Sequence, residues 1–182
     1  MKWSLNFRRC SSYIQGQYVG RTRQYFYFID HTGRLFLDDV RIRNFTSCFK
    51  DVKFLDFFYG RLRLNKTGQY PDFPYISLCQ GEQNFLKCDD RPIVFTKVDA
   101  EQNCLQVGNC SRMVEFEPEK ICMFENGRVY HPARFDNYGL VNSRIADELY
   151  KNFEFDSNGK PTHFNWKGER CKLTNELLKF DR

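Results

Sequence analysis

Short runs of aromatic and β-branched residues, each closed by a turn-forming residue, recur along most of this chain and leave little room for a helical fold. YFYFID (25–30) is followed by a His31-Thr32-Gly33 turn and by RLFLD (34–38), which alternates apolar and polar side chains. That is a hairpin with glycine in its loop. PYISLC (74–79), NFLKC (84–88) and IVFTKV (93–98) repeat the pattern, with NKTGQYPDFP (65–74) and the DDRP turn as connectors. Shorter strands are expected near Cys104–Val107 and Met113–Phe116, before Glu117-Pro118-Glu119 breaks the chain ahead of ICMF (121–124). Asn126-Gly127 then turns into RVYHP (128–132).

Only two long stretches switch to helical spacing. Over 44–64, Phe45, Phe49, Val52 and Leu55 form a stripe that Phe54, Phe58 and Leu62 continue. Over 140–153, Val141, Ile145 and Leu149 share one face, with Asp136 or Asn137 as the N-cap. The tail offers THFNW (162–166), a Lys167-Gly168-Glu169 turn, RCKL (170–173) and a short helix from Asn175 to Phe180 capped by Thr174. The expected class is α+β, with antiparallel strands and two main helices. Gly33-Arg34-Leu35-Phe36 before the first helix matches Gly127-Arg128-Val129-Tyr130 before the second. This repetition suggests two similar β-rich lobes, 25–90 and 91–182, behind a leader of residues 1–24.

The leader, MKWSLNFRRCSSYIQGQYVGRTRQ, contains Lys2, Arg8, Arg9, Arg21 and Arg23 and no acidic residue. Basic, hydroxylated, acid-free composition is that of a mitochondrial transit peptide, with cleavage expected within residues 9–24. A secretory signal would need a continuous apolar stretch, which is absent. The whole formal charge of +5 lies in this leader, since residues 25–182 hold 23 basic and 23 acidic side chains. A neutral body disfavours nucleic acid as a partner. No apolar run is long enough for a membrane-spanning helix.

Eight cysteines contain no C-x-x-C pair, and the intervals from Cys79 to Cys122 match no zinc module. They read as structural thiols. Asp38-Asp39 and Asp89-Asp90 place carboxylates side by side, but neighbours on a strand point to opposite faces. The second pair, with Arg91 and Pro92, reads as a turn. Of the three histidines, His131 is distinguished by Arg128, Tyr130 and Arg134 around it, cations that would lower its pKa. A solvated loop end is the plainer reading. Tyr25, Phe26, Tyr27 and Phe28 near Arg21 and Arg23 could stack bases, but they equally compose a sheet core. No phosphate loop, dinucleotide fingerprint, zinc-protease or nucleophile-elbow motif occurs.

YFYFIDHTGRLFLDD (25–39), NFTSCFKD (44–51), FFYGRLRLNKTGQY (57–70), NFLKCDDRPIVFT (84–96), NGRVYHPA (126–133) and GLVNSRIADEL (139–149) closely resemble uncharacterised protein family 0598, also called domain of unknown function 4505. The resemblance spans nearly all of residues 24–180 and implies a mitochondrial location. More distantly, DDRPIVF and LVNSRIADELY resemble a bacterial family, domain of unknown function 1285. That likeness implies two lobes built from duplicated strand-and-helix units, the C-terminal one superficially like a pleckstrin-homology fold, with a groove between them. Neither family supplies a catalytic residue.

The expectation is a non-catalytic matrix protein that engages a protein partner through the inter-lobe groove. Asp90, Arg91, Arg128, Tyr130, His131 and Arg134 are the candidate groove residues, because they combine charge with an aromatic anchor. No metal or cofactor is expected. The alternatives are an enzyme using His131 with a carboxylate such as Asp90 on a small organic substrate, and an RNA-binding protein. The sequence leaves the oligomeric state open.

Overall fold

Three sheets organise the chain. The computed structural model describes residues 13–134 and 136–181. The first sheet contains β1 (Gln17–Val19), β2 (Thr22–Ile29), β3 (Leu35–Leu37), β4 (Leu62–Leu64), β5 (Tyr75–Cys79) and β6 (Glu82–Cys88), with helix α1 (Val52–Gly60) between β3 and β4. The order is β1-β2-β6-β5-β4, and β3 follows β1 along the same edge of β2. The second sheet holds β7 (Val94–Asp99), β8 (Cys104–Val107), β9 (Met113–Glu115), β10 (Cys122–Met123), β11 (Val129–Pro132) and β12 (Tyr138–Val141), in the order β10-β11-β12-β7-β8-β9. Helix α2 (Ser143–Tyr150) leads to a third sheet of β13 (Phe153–Phe155), β14 (Pro161–Trp166) and β15 (Glu169–Lys172).

Both large sheets follow one path. The chain leaves a central strand by a hairpin (β2 to β3, β7 to β8 and β9) and crosses to the opposite edge. It then returns through three strands to lie parallel beside its start, as β6 on β2 and β12 on β7. The crossing carries α1 in the first sheet and a 3-10 turn, Pro118–Lys120, in the second. The likeness is therefore one of topology. The GRLF and GRVY strings fall on β3 and β11, which hold different places in that path, so the sequence repeat does not mark it.

Burial explains the uninterrupted aromatic run of β2. Tyr27 and Ile29 face the main core, which continues through α1, the second sheet and Phe164 and Leu173 near the third. Phe26 faces the other way onto Phe73, Ile76 and Phe85, while Phe28 packs on Phe36 and Cys48. A strand covered on both faces has no polar side to alternate.

The two halves meet tightly. Gly33, at φ +83°, lets its turn approach β7 so closely that a Cβ would stand 2.8 Å from the Thr96 methyl. Gly108, at φ +51°, lies directly against the Tyr59 hydroxyl. From α1, the Asp56 carboxylate accepts the Ser111 N–H at 2.8 Å and its hydroxyl at 2.6 Å.

Helix boundaries differ from those the periodicity suggests. Residues 44–51 do not continue as a helix: Asn44 caps a single turn by accepting from the amides of Thr46 and Ser47, and the Phe49 N–H then donates to the Leu35 carbonyl of β3 at 2.9 Å. Asp51 then caps α1 by accepting the Phe54 N–H at 2.7 Å. At the second site, β12 pairs with β7 over Leu140 and Val141, and Asn142 is the cap, not Asp136 or Asn137. At the tail, the final turn is 3-10, from Glu176 to Phe180, entered through Asn175 at φ 53°.

Structure also begins before residue 25. The β1–β2 hairpin starts at Gln17, and Tyr13 stacks on Phe26 at 3.9 Å and donates to Asp38. The Gln15 side-chain amide sits in the gap between β1 and β3, accepting the Phe26 N–H at 2.9 Å and donating to its carbonyl at 2.8 Å. Residues 1–12 of the expected leader lie outside the described residues.

Candidate functional site

The Asp89–Pro92 turn joins β6 to β7 and sits at the seam between the two large sheets. Its two central side chains reach in different directions, as neighbours on an extended chain do. Asp90 receives the Arg128 guanidinium and the Tyr130 hydroxyl, the latter at 2.9 Å. Arg91 binds the Asp136 carboxylate at 2.7 Å and lies 4.0 Å above the Tyr138 ring. The same carboxylate accepts the Tyr75 hydroxyl of β5 at 2.7 Å. Tyr130 and Tyr138 meet edge to face at 5.3 Å, which joins the two clusters.

Electrostatics follow these pairings. Burial, reinforced by Asp90, pushes the Tyr130 phenol up to about 12. Burial and the Asp136 hydrogen bond raise Tyr75 further. The bond to Asp90 raises Arg128. Each group is held in the protonation state that its partner requires, so the cluster is a charge-matched fastening. The Arg91 Nε is buried with no acceptor among the described residues.

His131 does not join this cluster. It alternates with Tyr130 on β11 and is fully buried on the other face, 5.6 Å from Phe95 and 5.5 Å from Phe116 between ring centres. Its Nε2 accepts the Glu117 N–H at 3.0 Å, and Nδ1 lies 2.9 Å from the Pro132 carbonyl. Those partners assign the proton to Nδ1 and a neutral ring. Its pKa falls to about 4, and the main cause is burial and not the neighbouring cations expected from the sequence. Arg134 lies exposed in the loop beyond β11. Asp90, Arg91, Arg128 and Tyr130 are thus brought together, while His131 and Arg134 are not.

The other candidates separate likewise. Asp38 pairs with Arg43 and Lys87, whereas Asp89 turns to His31, whose hydrogen bond holds its carboxyl below the usual range. Burial raises the thiols of Cys79, Cys88, Cys110 and Cys122. Among the described residues, no cluster of three His, Cys, Asp or Glu side chains could hold a metal ion. Among the described residues, no helix is long and apolar enough to cross a membrane.

A second region escaped the sequence reading. On the outer side of α1, Lys53 and Phe57 are exposed, followed by Arg61 at the C-cap, Arg63 on β4 and Lys66. The Arg61 guanidinium lies 5.2 Å over the Phe57 ring. Two open concavities, of about 380 and 480 Å³, adjoin at Arg63 along this edge of the sheet. Among the described residues, none of these four cations makes an ion pair, and neither do Arg41, Lys50, Lys97, Lys160, Lys167 and Lys172. The i, i+4 spacing of 53, 57 and 61 was the available signal. Counting charge over the whole body concealed it.

A family model described as a domain of unknown function, DUF4505, matches residues 15–178. The chain belongs to this family. The DUF4505 match begins at Gln15, whose amide closes the edge of β2, and it takes in both large sheets and the third. Among solved structures, a DUF1285 family protein from Shewanella baltica is 13% identical, with a TM-score of 0.46, over 71% of this chain and 94% of that one. Another, from Silicibacter pomeroyi, is 12% identical with a TM-score of 0.49, over 88% and 87% of the two chains. The DUF4505 chain is similar to both only distantly.

Proposed function

We propose that this protein is a non-catalytic binding module of the mitochondrial matrix whose docking surface is the outer side of α1, where Lys53, Phe57 and Arg61 are exposed. The observation that carries this reading is the exposure of Phe57 between Lys53 and Arg61 on a helix whose other aromatic and aliphatic side chains, Leu55, Phe58 and Tyr59, are buried. The exposed cations of α1 suit an acidic protein surface as the partner. An enzyme built on His131 and Asp90 is disfavoured, because the two side chains lie on opposite faces of β11.

The test is affinity capture of tagged full-length protein from mitochondria, in three forms: wild type, Lys53→Glu/Arg61→Glu, and Arg128→Ala. A near-stoichiometric partner lost only from the double variant supports the docking face. Loss only from Arg128→Ala returns the site to the seam and sinks this proposal.

The leader supports import. Tyr13 and Gln15 are bound into the first sheet, so cleavage is expected upstream of Tyr13, a narrower window than composition alone defines. N-terminal sequencing of the endogenous protein should find a new terminus there, and an intact Met1 would refute import with processing.

A further inference from the structure

The strand β4 ends the first sheet, and among the described residues its only strand neighbour is β5. The register sets Leu62 opposite Ser77, Arg63 opposite Ile76 and Leu64 opposite Tyr75. One step further, the Asn65 N–H donates to the Pro74 carbonyl at 2.8 Å. Bonded and non-bonded pairs alternate along an antiparallel ladder. Arg63 therefore exchanges its backbone bonds with Ile76, whereas Leu62 and Leu64 turn theirs away from β5. The far side of β5 agrees. A two-residue turn at Gln80 and Gly81, with φ of 55° and 75°, makes Cys79 and Glu82 a bonded pair. The same alternation then turns the backbone groups of Ser77 and Tyr75 towards β6, away from Leu62 and Leu64. Among the described residues, no group bonds the outward N–H and C=O of Leu62 and Leu64.

Side chains flank this open edge on both faces of the sheet. Towards α1 lie Leu62, buried, and Leu64, 43% exposed. On the opposite face Arg63 stands beside Ile76, and the two open concavities meet at it. One reaches Lys66 and Thr67, the other Arg61 and Leu78, and no carboxylate lines either. An open ladder edge takes another strand, and the charge beside it selects which one. A second copy of β4 is a poor match, because antiparallel self-pairing would set Arg63 and Arg61 against their own kind. The start of the leader, with Lys2, Arg8 and Arg9 and no acid, carries the same sign. An acidic strand complements the edge.

We infer that β4 takes an extended acidic segment of a partner protein as an additional antiparallel strand, with a carboxylate opposite Arg63 and apolar side chains opposite Leu62 and Leu64. This surface is distinct from the outer side of α1 and rests on the ladder, not on the exposure of Phe57.

The probe is a fluorescein-labelled peptide of about eight alternating glutamate and valine residues, titrated with full-length protein and followed by anisotropy. Saturating peptide should protect the amides of Leu62 and Leu64 of the wild type from hydrogen exchange. Arg63→Glu should weaken binding about tenfold, because a like charge replaces an opposite one across the pair. Leu64→Pro removes an outward N–H and leaves the ladder to β5 intact, so it should weaken binding roughly fivefold. A lysine–valine peptide should not bind. Lys53→Glu should leave peptide binding unchanged, whereas the α1 reading expects loss of its own partner there, so the two fail separately. Unchanged exchange at Leu62 and Leu64 overturns the inference, whether or not Leu64→Pro folds. Binding that falls with Arg63→Glu but not with a folded Leu64→Pro shows charge attraction without strand addition, and overturns it equally. A wild type that is dimeric and becomes monomeric as Leu64→Pro assigns the edge to a second copy, with the same result.

Discussion

The seam between the sheets and the outer face of α1 both set cations beside aromatic rings, but only the seam supplies carboxylates to them. At the seam, Asp90 and Asp136 neutralise Arg128 and Arg91, and Tyr130, Tyr138 and Tyr75 fill the space around them. On the outer face, cations flank an aromatic ring and no carboxylate answers them. The difference teaches that residue type does not make a site. A charge already paired in a low-dielectric setting contributes to holding the fold, whereas an unpaired charge at the surface is available to something else. Substitutions in the two regions should therefore separate stability from binding.

The largest effect is expected at Asp136, because its removal strands Arg91 and deprives Tyr75 of its acceptor. Asp136→Ala should cost about 4 kcal/mol, seen as a fall in Tm on the order of 10 °C. A loss below about 1 kcal/mol would show the seam pairs to be idle and erase the contrast.

His131 comes next, as a group held neutral by burial on the far side of the same strand. Its folded pKa of about 4 lies below the ordinary 6.5. The unfolded chain therefore takes up a proton first. The stability due to the neutral ring is complete above pH 6.5 and is lost as pH falls from there towards 4, by at most roughly 3 kcal/mol. Denaturant midpoints across that range should fall for wild type and change less for His131→Gln; parallel curves would contradict it.

Arg128→Ala ranks third. Its guanidinium is nearly half exposed, so its loss should cost less than about 1 kcal/mol by chemical denaturation. A much larger cost would extend the fastening to the rim of the seam. Smallest of all in stability is Lys53→Gln/Arg61→Gln, expected within about 0.5 kcal/mol of wild type. If those changes instead lowered Tm as far as Asp136→Ala, the outer face would be structural as well, and the comparison would collapse.

Much of the first sheet was legible because its signals are local. YFYFID, PYISLC and NFLKC each carry aromatic or β-branched residues and end at turn residues, and they fold as β2, β5 and β6. What misled were stripes shared by two structures. Phe45 and Phe49 sit at helical spacing, but the Phe49 N–H that a helix would turn back onto Phe45 donates instead to Leu35 of β3. Val141 shares a face with Ile145 in sequence, yet a parallel pairing with β7 claims it. β1, only three residues long and exposed throughout, falls within the stretch whose basic composition reads as a leader. The seam was half legible: Asp90, Arg91, Arg128 and Tyr130 were singled out as charges beside an aromatic. Their partner Asp136 was missed, since nothing local joins residues 45 positions apart. His131 was read from neighbours in sequence, but its environment is set by Phe95 and Phe116.

The amide of Gln15 has a consequence for the life of the protein after synthesis. It sits on the edge of β2 between β1 and β3, where it accepts the Phe26 N–H and shares the Phe26 carbonyl with the amide of Asp38. A protease cutting only a few residues deeper, beyond Gln15, would uncover a hydrogen-bonding edge beside a dense aromatic cluster. Such edges recruit other strands. If import removes the leader as proposed, a molecule trimmed past Gln15 would be recognisable by its tendency to associate with its own kind.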